Sequence, residues 1–246
     1  MTALRRLTAT ETLLFLREPM NWVFALVLPP VILVALGAVP QFRTPEEDLG
    51  GLRVIDLYAP IVVATAITML ALATLPQHFA TYRDKGVLRR MRVSPVRPLM
   101  MLGAQLLMYL LMSLVTTLAV LLIARLGFGV DLPRQLGAYL VALALTASAM
   151  LSVGLLVASL APTGPSAGTI GTILLFPMLF LAGLWIPRDS MHEVLRTISD
   201  FSPLGAGVQS LQDATAGDWP QLLHVTVLVG WTILAGGLAA RYFRWE

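Results

Sequence analysis

The stretch Tyr82-Arg-Asp-Lys-Gly-Val-Leu-Arg-Arg-Met-Arg-Val-Ser-Pro-Val-Arg-Pro98 lies between two long apolar runs and carries six of the seventeen basic residues in this 246-residue chain. Arg83, Lys85, Arg89, Arg90, Arg92 and Arg97 do not belong in hydrocarbon, because each would cost about 2.5–3.5 kcal/mol at a bilayer centre. Water therefore bathes this segment, and the apolar runs on either side of it are read as membrane spans.

Composition supports that reading. The chain is 57% hydrophobic and 13% charged, with a mean hydropathy of +0.79, outside the range of water-soluble domains. Residues 19–42, 57–82, 98–124, 135–187 and 219–240 contain no Asp, Glu, Lys or Arg, and each run exceeds the about 20 residues that cross a bilayer. The run 135–187 would extend roughly 80 Å as one helix against a hydrocarbon core of about 30 Å, so it is divided into two spans. Ala161-Pro-Thr-Gly-Pro-Ser166 supplies the break, since Pro162 and Pro165 lack a helix donor and Gly164 permits a turn.

The fold expected is an all-α integral membrane protein with six transmembrane helices, at about 21–39, 56–76, 99–124, 136–160, 167–185 and 221–240, in one domain over residues 1–246. A kink is expected at Pro29-Pro30. An interfacial helix is expected over residues 1–18, with Glu11 interrupting its apolar stripe. Between spans five and six, Ser190 and Glu193 read as a capping box ahead of Met191, Val194, Leu195 and Ile198, a short amphipathic helix on the outer leaflet. Pro203 breaks it, and residues 204–211 are a second short helical piece.

Lys and Arg number eleven on the side that holds both termini and the Tyr82 loop, against six on the other, so both termini are expected to be cytoplasmic in a cell membrane. The run after residue 17 is too long for an ordinary signal peptide, and no cleavage is expected. The positive gradient is topological and implies no nucleic acid.

Several chemistries are excluded by residue counts. Without cysteine there is no disulfide, thiolate metal site or cysteine nucleophile. His78, His192 and His224 are scattered, with no metal-ligand spacing and no Ser/His/Asp grouping, so no catalytic residue and no metal is assigned. The sole lysine, Lys85, is preceded by Asp84 and followed by Gly86, which rules out a G-x-x-x-x-G-K-[ST] phosphate loop in this chain. The span interiors lack charge, which counts against proton or ion coupling. Gly164, Gly168 and Gly171 in span five, with Gly230, Gly236 and Gly237 in span six, suit close helix packing within the chain, with a dimer seam as the other reading. Met69, Phe176, Met178, Phe180 and Trp185 are candidate contacts for a lipophilic substrate, or packing residues.

Three segments resemble the type-2 ABC exporter permeases, the family of daunorubicin and multidrug-resistance membrane subunits and of polysaccharide or lipid exporters. Arg17-Glu-Pro19 is similar to the lead into the family's first span. Tyr82 to Pro95 resembles its acidic-basic-Gly-Leu segment after span two, with Tyr82, Val87 and Met91 departing from the commoner residues. Phe176-Pro177, Gly183-Leu-Trp-Ile-Pro187, Leu195-Arg196 and Ser202-Pro203 are similar to its signature around the end of span five. The resemblance implies a permease of two copies, assembled with two copies of a separate ATP-binding subunit. That subunit would hold ATP and Mg, this chain would hold no cofactor and would not itself be an enzyme, and a drug, polyketide or lipid-linked cargo would move outward. Arg83, Asp84, Lys85, Gly86, Val87, Leu88, Arg89, Arg90, Met91 and Arg92 would form the cytoplasmic coupling helix docked on that partner. From the residues alone, docking and plain solvated charge remain open for this loop. A secondary transporter or channel, or a membrane anchor without transport activity, are the other functions carried forward.

Overall fold

The structure, a computed structural model, describes residues 2–47, 51–86 and 98–242. Among these residues it is helical throughout, with no strand. Helix α1 (Thr2–Arg17) is followed by a continuous helical run made of α2 (Pro19–Trp22), a π-helical turn (Val23–Val27) and α3 (Leu28–Gly37). The next run comprises α4 (Val54–Thr68), a second π-turn (Met69–Thr74) and α5 (Leu75–Asp84). Then come α6 (Pro98–Phe128), α7 (Leu136–Leu160), α8 (Gly164–Leu181), α9 (Glu193–Phe201), α10 (Pro203–Ala216) and α11 (Leu222–Tyr242).

Among the described residues, five helices are long and apolar enough to cross a membrane: Val54–Asp84, Met100–Phe128, Leu136–Leu160, Gly164–Leu181 and Leu222–Tyr242. The expected first span is the shorter apolar helix Val23–Gly37. The α4–α5 run lies at the centre, since 83% of its apolar window is buried against 22% for α11.

Prolines shape the two π-turns. In the first run the Ala25 carbonyl would bond the amide four or five residues on, but these are Pro29 and Pro30, which have none. The backbone widens into a π-turn there, where a kink was expected, and the Thr116 hydroxyl of α6 shares its hydrogen between the Met112 carbonyl at 2.9 Å and the Ala25 carbonyl at 3.2 Å. In the second run the Leu75 amide bonds the Leu70 carbonyl, and Pro76 has no hydrogen for Ala71. Two glycines close on this turn. A Cβ on Gly154 of α7 would stand 2.0 Å from the Ala71 carbonyl oxygen, and one on Gly171 of α8 would stand 1.9 Å from that of Leu72. Only a bare Cα lets these backbones meet, and the meeting supports Cα–H···O contacts. Gly164 and Gly168 likewise face Thr81 and Gln77 of α5, so the span-five glycines serve packing within the chain.

Several boundaries differ from the sequence reading. Span two does not stop at Pro76, because the π-turn places that proline at the start of α5 and the helix continues to Asp84. The break between spans four and five is shorter than Ala161–Ser166: Thr163 caps α8, its hydroxyl accepting from the Ser166 amide, and Pro165 sits in the first helical turn where no donor is needed. Span five ends at Leu181, ahead of Gly183 at φ 87. The amphipathic helix α9 exists, but Ser190 lies in a short 3-10 turn and the cap is His192, whose Nδ1 accepts from the Val194 amide at 3.4 Å. Val194, Ile198 and Phe201 of α9 are exposed together, an apolar face suited to a membrane surface. The second piece is longer than expected: α10 starts on Ser202, whose hydroxyl accepts from the Gly205 amide at 3.0 Å, and buries Leu204, Val208 and Leu211 in the bundle.

Gly154→Ala is expected to destabilise the protein by about 1–3 kcal/mol through overpacking against a backbone oxygen. Gly230→Ala, where a Cβ meets open space, should stay within about 0.5 kcal/mol. Thermal unfolding of both variants in detergent checks the contrast.

Candidate functional site

A lateral groove of about 580 Å³ opens between the first helical run, the α4–α5 run and α8. Phe24, Leu28 and Ile32 form one wall at i, i+4, i+8 spacing. Met69 and Ala73 of the second π-turn form the floor, and Leu175, Phe176 and Leu179 form the other wall. Trp185 closes one end. Glu18, Thr74, Gln77 and Thr172 bring polar atoms toward the end nearest Asp84. A groove with apolar walls, a few convergent polar groups and this volume has the make-up of a small-molecule site, which spans about 300–1,000 Å³.

Of the five residues expected to touch substrate, Met69, Phe176 and Trp185 line this groove. Met178 packs against the core instead, two residues and thus about 200° around α8 from Phe176, and Phe180 is half-buried outside the groove. Phe24, Leu28, Ile32, Gln77 and Thr172 were missed. The spacing of the first three was legible, but any span shows such a stripe.

The groove's polar end leads to the segment that opened the sequence reading. Val87, Leu88, Arg89, Arg90, Met91 and Arg92 lie outside the described residues. Of the remaining four, Arg83 and Asp84 bind the α7–α8 turn. Arg83 donates to the carbonyls of Ala158, at 3.3 Å, and Ala161, at the C-terminal end of α7. The Asp84 carboxylate accepts from the Gly164 amide at 2.8 Å, at the N-terminal end of α8. Each charge thus meets the helix end of opposite polarity. Lys85 is exposed, and Gly86 takes φ 65, a conformation that glycine adopts freely.

Helix α1 is tied to the same end. Glu11, 7% exposed, accepts from the Tyr82 hydroxyl at 3.2 Å and the Gln105 amide at 3.0 Å. His78 lies between the Tyr109 hydroxyl at 2.9 Å and Glu18 at 3.2 Å, and Phe15 packs edge-on to both His78 and Tyr109. Glu11 therefore interrupts the apolar stripe of α1 for a structural reason: it faces protein polar groups.

The opposite end is pinned by charge as well. Arg53 makes a bidentate pair with Asp56, at 2.9 and 2.7 Å, and donates to the Phe128 and Gly129 carbonyls at the end of α6. The Asp56 hydrogen bond holds the Arg53 guanidinium above its ordinary pKa, against the opposing effect of burial. Arg188 pairs with Asp200, and His224 Nε2 lies 3.6 Å from the same carboxylate. The turn after α8, α9 and the start of α11 are thereby joined.

A buried helical bundle with a lateral apolar groove and a charge-clamped turn defines a multi-pass membrane protein, and comparison with known families gives its class. The sequence model of the ABC-2 type transporter family matches residues 2–215, and the chain belongs to that family. It is 25% identical over 209 residues to the inner membrane transport permease YhhJ of Escherichia coli K12, and equally to that of Shigella flexneri. The alignment covers 78% of this chain and 56% of each relative, so the chain spans about half the length of the curated relatives it matches.

Asp84→Ala removes the carboxylate that accepts from the Gly164 amide, a bond additional to the Thr163 cap of α8, and is expected to cost about 0.5–2 kcal/mol. Asp84→Asn keeps a side-chain acceptor and should retain most of that stability. Equal losses in the two variants, measured by thermal unfolding, would contradict the capping role.

Proposed function

We propose that this chain is the membrane subunit of an ATP-driven exporter whose lipophilic cargo moves along the groove between the first run, the α4–α5 run and α8. The observation that carries the proposal is the continuity from groove to clamp. Met69 and Gln77 line the groove on the same helical run whose last residues, Arg83 and Asp84, hold the α7–α8 turn. A push on the basic segment that follows would reach the groove through one rigid run and through the base of α8.

In this reading the run Pro19–Gly37 completes a sixth crossing, and both termini face the cytoplasm, as the excess of Lys and Arg on their side requires. Two copies assemble with two copies of an ATP-binding subunit that carries ATP and Mg. The division of labour within the coupling segment is specific. Arg83 and Asp84 transmit force through their hydrogen bonds to the turn, while Lys85 to Arg92 meet the partner. Cargo contacts fall to Met69, Phe176 and Trp185, joined by Phe24 and Leu28. The cargo is a drug, polyketide or lipid-linked molecule with a large apolar surface, entering from the inner leaflet past Gln77 and Thr172.

Inverted vesicles containing the chain and its ATP-binding partner should accumulate a lipophilic fluorescent dye on addition of ATP. Phe176→Ala should lower that rate about tenfold, a loss of about 1.4 kcal/mol of cargo contact. Ile233→Ala, which alters a side chain exposed on α11, should leave it unchanged. Uptake driven by an ion gradient without ATP would overturn the proposal.

A further inference from the structure

A second groove, of about 660 Å³, lies on a different face, between α1 and the first half of α6. Its walls are hydrocarbon: Leu4 and Leu13 from α1, Leu107 and Leu111 from α6. The two threonines in it present little polarity, because the Thr8 hydroxyl donates to the Leu4 carbonyl at 3.0 Å and the Thr12 hydroxyl to the Thr8 carbonyl at 2.8 Å. One charge lines the groove, the exposed Arg5, which forms no ion pair among the described residues. Leu13, Leu107 and Leu111 remain 58%, 40% and 42% exposed, so the groove opens sideways.

We infer that this groove binds an anionic phospholipid, with an acyl chain against the leucines and the phosphate at Arg5. The chemistry selects that occupant. An apolar trough with a single cation at its lip complements a ligand that is long, apolar and negative at one end, and α1, with Leu13, Leu14 and Leu16 exposed, is suited to the depth at which a bilayer presents its headgroups. A zwitterionic lipid also carries a phosphate, but its ammonium offsets that charge, so its net attraction to Arg5 is weaker. A wholly apolar cargo would leave Arg5 facing hydrocarbon. The bound lipid would act as a wedge between α1 and α6, next to the Glu11 hydrogen bonds that join them to Tyr82. This inference rests on the chain being in a membrane and not on ATP-driven export, so either can fail without the other.

The test is native mass spectrometry of the 246-residue chain released from nanodiscs with equal phosphatidylglycerol and phosphatidylethanolamine. The wild type is expected to retain phosphatidylglycerol preferentially. Arg5→Gln should cut that preference at least fivefold, Arg5→Lys should preserve it, and Leu111→Trp should reduce retained lipid of both kinds by filling the trough. Arg6→Gln, a charge on the same helix that does not line the groove, should change nothing. Equal retention of both lipids by the wild type would overturn the inference, as would a preference that Arg5→Gln leaves intact or that Arg6→Gln reduces equally. Thermal unfolding of each variant in lipid-free detergent separates lost binding from lost fold.

Discussion

A backbone carbonyl inside a bilayer has no water to bond, so a proline that orphans one in a span favours a neighbour that comes to it. That preference organises this protein. At Pro29-Pro30 the neighbour is the Thr116 hydroxyl, and at Pro76 two glycines bring α7 and α8 against the Ala71 and Leu72 carbonyls. The second meeting point lies at mid-length of the most buried helical run, so three helices are fixed there at backbone distance. Met69 begins the same π-turn and lines the lateral groove, which makes the packing hub and the groove floor one element.

Charge does at the ends what glycine does in the middle. Arg83 and Asp84 neutralise the facing ends of α7 and α8, and Arg53 holds the far end of α6. These contacts leave the span interiors free of ionised groups, so the groove can be apolar along its length and polar only near its mouth. The helices are thus pinned at the middle and at both ends.

Much of the bundle was legible in sequence because a bilayer admits few structures: long runs without charge have to be helices. Helices α7 and α11 lie within about two residues of the runs 136–160 and 221–240 expected from the sequence. The errors share a cause. Pro76 and Pro165 were read as stops, yet a proline ends a helix only if an amide is needed there, and a π-turn in one case and a first helical turn in the other remove that need. Ser190 matched a capping pattern that His192 fulfils, since the pattern carries no information on where the chain turns after Pro187. Glu11 looked misplaced on an apolar stripe because its partners, Tyr82 and Gln105, are distant in sequence. The groove was half-legible for the same reason: Met69, Phe176 and Trp185 stand out by type, while Phe24, Leu28 and Ile32 become its wall only through the packing of other helices.

The proposed function stands or falls on whether the segment from Lys85 to Arg92 docks on a separate ATP-binding subunit. Because the chain contains no cysteine, Leu88→Cys introduces a unique thiol into that segment, and cross-linking in native membranes followed by mass spectrometry of the trapped product reads its neighbour. Capture of a soluble subunit with a phosphate-binding loop is the predicted result. A thiol that labels readily from the cytoplasm yet never captures such a subunit would contradict the claim.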